Sequence, residues 1–269
     1  MRLRLVFVAM VTLGLVVGSP VHARDHHKKK EAEPSASPIE QWQLQNGLKV
    51  VFAPDHKAPV VTVQTFYHTG GKDEPADKRG IAHMFEHMMF KGSKHVRPEE
   101  HARFIDGVGG GNNAFTQDDL TGYHDTIPPA ALEFTIKLEA ERMRNLELTQ
   151  KTIDSEREVV KEELRVRLEN NPITKAIDKV LHLAYEKHPY RQMPIGEKKM
   201  LDTVTVADCQ KFYDTYYRPN NATLVIVGDT DSKTVHKLAD TYFAPLEKAP
   251  MRRAFKWSSR PRLPCEKRP

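Results

Sequence analysis

His83, Glu86 and His87 fall within one five-residue window. On a helix, positions 83 and 87 project from one face, and position 86, three on from 83, lies on the same side. The neighbours are apolar: Ile81, Ala82, Met84, Phe85, Met88, Met89 and Phe90. A helix this apolar is buried. Buried ionisable side chains must be paired or bound to metal to offset their desolvation. Neutral imidazole is a good zinc ligand, and an i,i+4 pair fills two positions of a tetrahedral site. A carboxylate beside them can take a proton from water activated there. The order His-x-x-Glu-His inverts the commoner His-Glu-x-x-His zinc motif. A lone His-x-x-x-His is more often structural, so the reading depends on a third ligand.

The candidate is Glu163. Glu156 and Glu163 are seven apart in a strongly helical stretch and share a stripe two turns long. Val159 and Val160 border that stripe, so both carboxylates can face inward. On periodicity alone a solvated, charge-rich helix face is the simpler reading of the same stretch. His95, His101, His124, His182 and His188 show no ligand spacing, and His124 reads as a strand residue near the site. Gly107 to Gly111 is no dinucleotide fingerprint, because a helix precedes it and a strand follows. There is no Walker lysine and no Ser or Cys nucleophile motif. Two cysteines exclude a disulfide-dense scaffold and a four-Cys zinc site. A Cys209–Cys265 disulfide is chemically allowed in an exported chain, but Cys265 falls in a tail.

The elements that must position these residues follow from the pattern around them. Gln41 to Leu44 and Leu48 to Phe52 flank Asn46-Gly47, a two-residue hairpin signal. Val60 to Tyr67 is a third strand. Arg79 to Phe90 is the helix carrying the histidines, and Pro98 opens another that runs to Ile105. Asn113 to Thr116 and Gly122 to Ile127 read as short strands. Pro129 to Leu146 and Thr152 to Glu169 read as long helices. Asn171-Pro172 starts a further helix, Val204 to Tyr217 is helical with Thr205 as its cap, Ala222 to Val227 is a strand, and Ser232 to Phe243 is the last helix. Grouped strands, grouped helices and hairpin connections predict an α+β fold.

The chain has 269 residues, a formal charge of +5 and a mean hydropathy of -0.58. One uncharged run, Leu5 to Val17, follows Arg2 and Arg4, and Val21-His22-Ala23 has the form of a signal-peptidase site. Residues 1–23 therefore read as a secretory signal peptide, with an uncleaved membrane anchor as the alternative. Residues 24–39 form a polar, flexible leader and 251–269 a basic, Pro-containing tail. These ends together carry a net +9, leaving residues 40–250 at a formal −4. That removes the main support for a nucleic-acid partner.

Gly80 to Ser93 resembles the signature of the pitrilysin / mitochondrial processing peptidase family of inverted-motif zinc metallopeptidases. Asn113-Ala114-Phe115-Thr116 with Tyr123, the Glu156 to Glu163 stretch, and Arg218 to Thr223 with Val225 to Gly228 resemble its other marks in order. The resemblance covers roughly residues 40–245. It implies an antiparallel sheet packed with helices on one side, a LuxS/MPP-like metallohydrolase domain. It implies one Zn2+ held by His83, His87 and Glu163, with Glu86 as general base toward zinc-activated water and Glu156 supporting the site. Asn113, Ala114, Phe115 and Thr116 would pair with an extended peptide substrate. The family also implies a second domain, in the same chain or a partner, that supplies an Arg and a Tyr. Export, to the periplasm of a bacterium, is the expected location, with no membrane span after signal cleavage. A non-catalytic peptide-binding subunit of a hetero-oligomer is the competing function.

Overall fold

The computed structural model describes residues 39–250. The signal peptide, almost all of the leader, the basic tail and Cys265 lie outside the described residues.

Six strands form one sheet in the order β1-β2-β6-β3-β5-β4. Strands β1 (Glu40–Gln43) and β2 (Lys49–Pro54) form the expected hairpin, with Gly47 at φ +93° in its turn. Only glycine takes that backbone region without strain. Asn46 donates from Nδ2 to the carbonyls of Phe243 (2.7 Å) and Leu246 (3.0 Å), so the turn is tied to the far end of the domain. Strand β3 (Val61–Tyr67) pairs antiparallel with β5 (Thr121–Ile127) and with β6 (Ala222–Gly228). Strand β4 (Gly111–Thr116) pairs antiparallel with β5 and ends the sheet.

The fold is α+β as expected, but the sheet is mixed rather than wholly antiparallel. Strand β6 lies between β2 and β3, antiparallel to β3 and therefore parallel to β2. Its pairing joins residues more than 150 positions apart, which hairpin signals cannot report. Along β3 and β6 the burial alternates strictly, with Val61, Val63, Thr65 and Tyr67 and Ala222, Leu224 and Ile226 facing the core.

Helix α1 (Ile81–Met88) carries the His83 motif and is shorter than its apolar run. Its first turn is held from outside. Glu74 Oε1 accepts from the backbone N–H of Gly80 (3.1 Å) and Ala82 (2.9 Å). Two N–H groups left orphaned by helix geometry are thereby satisfied. Gly80, at φ +98°, crosses Gly196 so closely that a Cβ on Gly196 would lie 2.4 Å from the Gly80 Cα. Helix α2 (Glu100–Gly107) and helix α3 (Leu132–Arg144) follow, the latter after a short 3₁₀ turn at Pro129–Ala131. Helix α4 (Gln150–Leu164) begins at a Thr149 cap and continues as a π-helical turn over Arg165–Glu169, not as the single α-helix expected. Asn171 caps α5 (Pro172–Ala184), which buries none of its residues and exposes Ile173, Ile177, Val180 and Leu183. After α6 (Lys198–Leu201), Thr205 and Asp208 form a capping box on α7 (Val206–Tyr216), and Asp231 caps α8 (Ser232–Tyr242).

Candidate metal centre

Helix α1 packs against α4 and against β4, and these three elements assemble the site. The Nε2 atom of His83 lies 3.5 Å from Glu163 Oε2, and Nε2 of His87 lies 3.8 Å from Glu163 Oε1. One ligand atom from each of the three residues falls within 4.8 Å of the others. Bonds of 2.0–2.2 Å from one ion would span the 3.5 and 3.8 Å separations. Glu163 Oε2 is buried without a hydrogen-bond partner. Burial holds the His83 imidazole down to about 3, assisted by His87 and Arg167, so it is neutral near pH 7. The neutral His83 imidazole, the second imidazole of His87 beside it, an unsatisfied carboxylate oxygen and this convergence fit a zinc ion.

The other imidazole nitrogens differ. His87 Nδ1 faces Glu156 Oε2 at 3.5 Å, whereas His83 Nδ1 is buried without a partner. Glu156 also meets Lys91 Nζ at 3.2 Å, and Lys91 meets Glu99 at 2.6 Å. Burial raises Glu156, but the His87 and Lys91 contacts outweigh it and hold its carboxyl below the usual range. The inward stripe of α4 is therefore the correct reading of Glu156 and Glu163. Glu156 is buried and Glu163 half-buried, while Glu158 and Glu162 on the same helix face solvent.

Glu86 stands beside the three with its carboxyl raised by burial, and a hydrogen bond from Thr116 opposes that rise. Thr116 Oγ1 donates to Glu86 Oε2 at 2.6 Å. The Thr116 side chain is thus turned toward Glu86. His83, Glu86, His87 and Glu163 share a cleft of about 500 Å³ with Asn112, Asn113, Ala114, Phe115 and Thr116. Every site residue expected from the sequence except Glu156, which stands behind His87, lines this cleft. His124 sits on β5 opposite Asn113, as a strand residue near the site. Lys91, Glu99 and Arg167 also line it and were not singled out by sequence. Arg167 had a signal, since it follows Glu163 by four positions on the same helical stripe.

A second group, His101, Asp125 and Glu139, also brings ligand atoms within 4.8 Å, all buried. His101 Nε2 lies 3.1 and 3.2 Å from the two Asp125 oxygens. Glu139 accepts from Thr65 Oγ1 at 2.7 Å and from the Arg142 guanidinium. Arg142 stacks over Phe90 and Tyr123 at 5.2 and 4.6 Å. A cation already occupies this cluster, so it is a buried ion network behind α1.

Residues 49–197 match the model of the insulinase family, peptidase family M16, and residues 203–269 match the peptidase M16 inactive domain. The chain belongs to peptidase family M16. It is 36% identical over 241 residues to zinc protease PqqE of Helicobacter pylori, an alignment covering 89% of this chain and 51% of that one. The probable zinc protease PqqL of Escherichia coli is 32% identical over 199 residues, 71% of this chain and 21% of the relative. Among solved structures, a protease from Helicobacter pylori superposes with a TM-score of 0.80 at 34% identity, covering 85% of this chain and 55% of that one. The first half of the periplasmic protease PqqL from Escherichia coli gives 0.77 at 27% identity, covering 85% and 50%. The M16 chain described here thus spans about half the length of the Helicobacter pylori relative.

Proposed function

We propose that this chain is a zinc-dependent endopeptidase domain, with His83, His87 and Glu163 holding one Zn2+ and Glu86 as the general base. The observation that carries the reading is the convergence of the two Nε2 atoms on the Glu163 carboxylate, with Glu86 alongside. Zinc, when bound, polarises a peptide carbonyl and acidifies water. The Glu86 carboxylate takes the proton of the attacking water and returns it to the leaving amine. Thr116 fixes the orientation of that carboxylate. Glu156 orients His87 through Nδ1, the usual role of an outer carboxylate on a metal-binding imidazole.

The outer edge of β4 ends the sheet, and Asn113 to Thr116 line the cleft. An extended peptide adds there as a further strand, which holds varied sequences through backbone bonds. A second M16 domain, in the same polypeptide or a partner, completes the cleft and contributes an Arg and a Tyr. The half-length coverage of the relatives and the apolar stripe left open on α5 support this. Export to a periplasm is supported by the apolar run in residues 5–17 and by the likeness to the periplasmic protease PqqL from Escherichia coli.

Metal analysis of the purified chain tests the site. The wild type is expected to hold one zinc per chain and His83→Ala to lose it. Glu86→Gln is expected to keep zinc and lose peptidase activity. A wild type without tight zinc would overturn the site, and undiminished turnover in Glu86→Gln would overturn the mechanism.

A further inference from the structure

Helix α1 forms the floor of the cleft, with β4 and the end of α4 each packed on it as its borders. A peptide strand added to β4 satisfies only the backbone groups on the edge it shares with β4. Its other edge carries N–H and C=O groups turned away from β4, and these need partners to hold the strand flat in the cleft. Carbonyls on that edge need donors. Lys91 is committed to Glu99 at 2.6 Å and Glu156 at 3.2 Å. Arg167 is not. Its side chain is 65% exposed, lines the same cleft, and among the described residues ion-pairs only with Glu163, at 3.6 Å without a hydrogen bond, while its charge also acts on His83 and Glu86. It sits in the π-helical turn Arg165–Glu169, a backbone feature frequent at functional sites.

We propose that Arg167 is a substrate-binding residue. Its guanidinium donates to a backbone carbonyl on the edge of the bound peptide that faces away from β4, beside the metal ligands. A planar fork of five donors suits carbonyl capture. The bland alternative, an exposed i,i+4 pair with Glu163, is worth little in solvent and leaves the fork idle. The proposal rests on the peptidase reading, and it makes part of the substrate clamp intrinsic to this domain.

The test uses the full chain carrying Glu86→Gln, so that peptide binds without turnover, with zinc content measured on each sample. Two fluorescent, end-blocked peptides are titrated by anisotropy, one of neutral residues and one acidic. Adding Arg167→Gln is expected to weaken both peptides about tenfold with zinc content unchanged, and Arg167→Lys to restore part of the loss. Binding within twofold of the parent, loss for the acidic peptide alone, or loss of zinc on changing Arg167 would each overturn the proposal. If the parent holds zinc yet binds neither peptide, the proposal falls and the metal site stands. If the parent holds no zinc, the peptidase reading falls and takes the proposal with it.

Discussion

Replacing Glu156 by Gln isolates the support behind one metal ligand. The Glu156 side chain is 4% exposed, with one oxygen 3.5 Å from His87 Nδ1 and the other 3.2 Å from Lys91 Nζ. Losing an outer carboxylate on a metal-binding imidazole typically lowers metal affinity about 10- to 100-fold. Two features set this case at the lower end. The Gln carbonyl oxygen still accepts from Nδ1–H, so the ring keeps its orientation and loses only the anion that makes it more basic. Lys91 is partly exposed and keeps Glu99 at 2.6 Å, so no buried charge is stranded. The expected loss is about tenfold in zinc Kd, or ~1.4 kcal/mol. Competition with a chromophoric chelator at fixed pH measures it directly. Glu158→Gln, on the exposed face of the same helix and paired among the described residues only with Lys161, serves as the control and should leave the Kd unchanged. A Glu156→Gln chain whose zinc Kd lies within twofold of wild type would refute the reasoning, because Glu156 would then be a structural partner of Lys91 and nothing more.

Thr116→Val keeps the shape of the β4 residue and removes the 2.6 Å bond to Glu86. Turnover of a peptide should fall about tenfold while zinc content stays the same, matching the loss of one hydrogen bond to a charged group. An equal fall in zinc would place Thr116 in the metal site instead. Glu74 gives a pH signature. Burial raises its carboxyl in the folded chain from 4.5 to about 8, against the pull of the Ala82 and Gly80 N–H groups and Arg79. The folded state therefore binds more protons than the unfolded state between those values, and its stability falls as pH rises through that window. Glu74→Gln should flatten this part of the profile in denaturant titrations run between pH 5 and 8. An unchanged slope would refute the assignment.

Spacing along one helix was enough to read His83, Glu86 and His87, because an i,i+4 pair is a local property. Glu163 was harder. Its spacing from Glu156 marks a stripe but not which way the stripe faces. Only packing of α4 on α1 turns positions 156 and 163 inward while 158 and 162 meet solvent. The parallel β2–β6 pair was illegible for a similar reason, since no short-range signal tells a late strand between which early strands it will insert. The ion network of His101, Asp125, Glu139 and Arg142 draws on α2, β5 and α3, and its members are spread along the chain from position 101 to position 142 with no ligand spacing. That network bears on the site without touching it. Arg142 lies over Phe90, just past the end of α1, and over Tyr123, whose hydroxyl reaches Tyr217 at 3.0 Å. Glu74 and the Gly80–Gly196 crossing hold the opposite end of the same helix. An eight-residue helix is too short to be stable through its own hydrogen bonds. Its placement must come from these two anchors and its buried apolar face. The motif that was easiest to read in the sequence therefore depends, for its geometry, on residues that were hardest to read there.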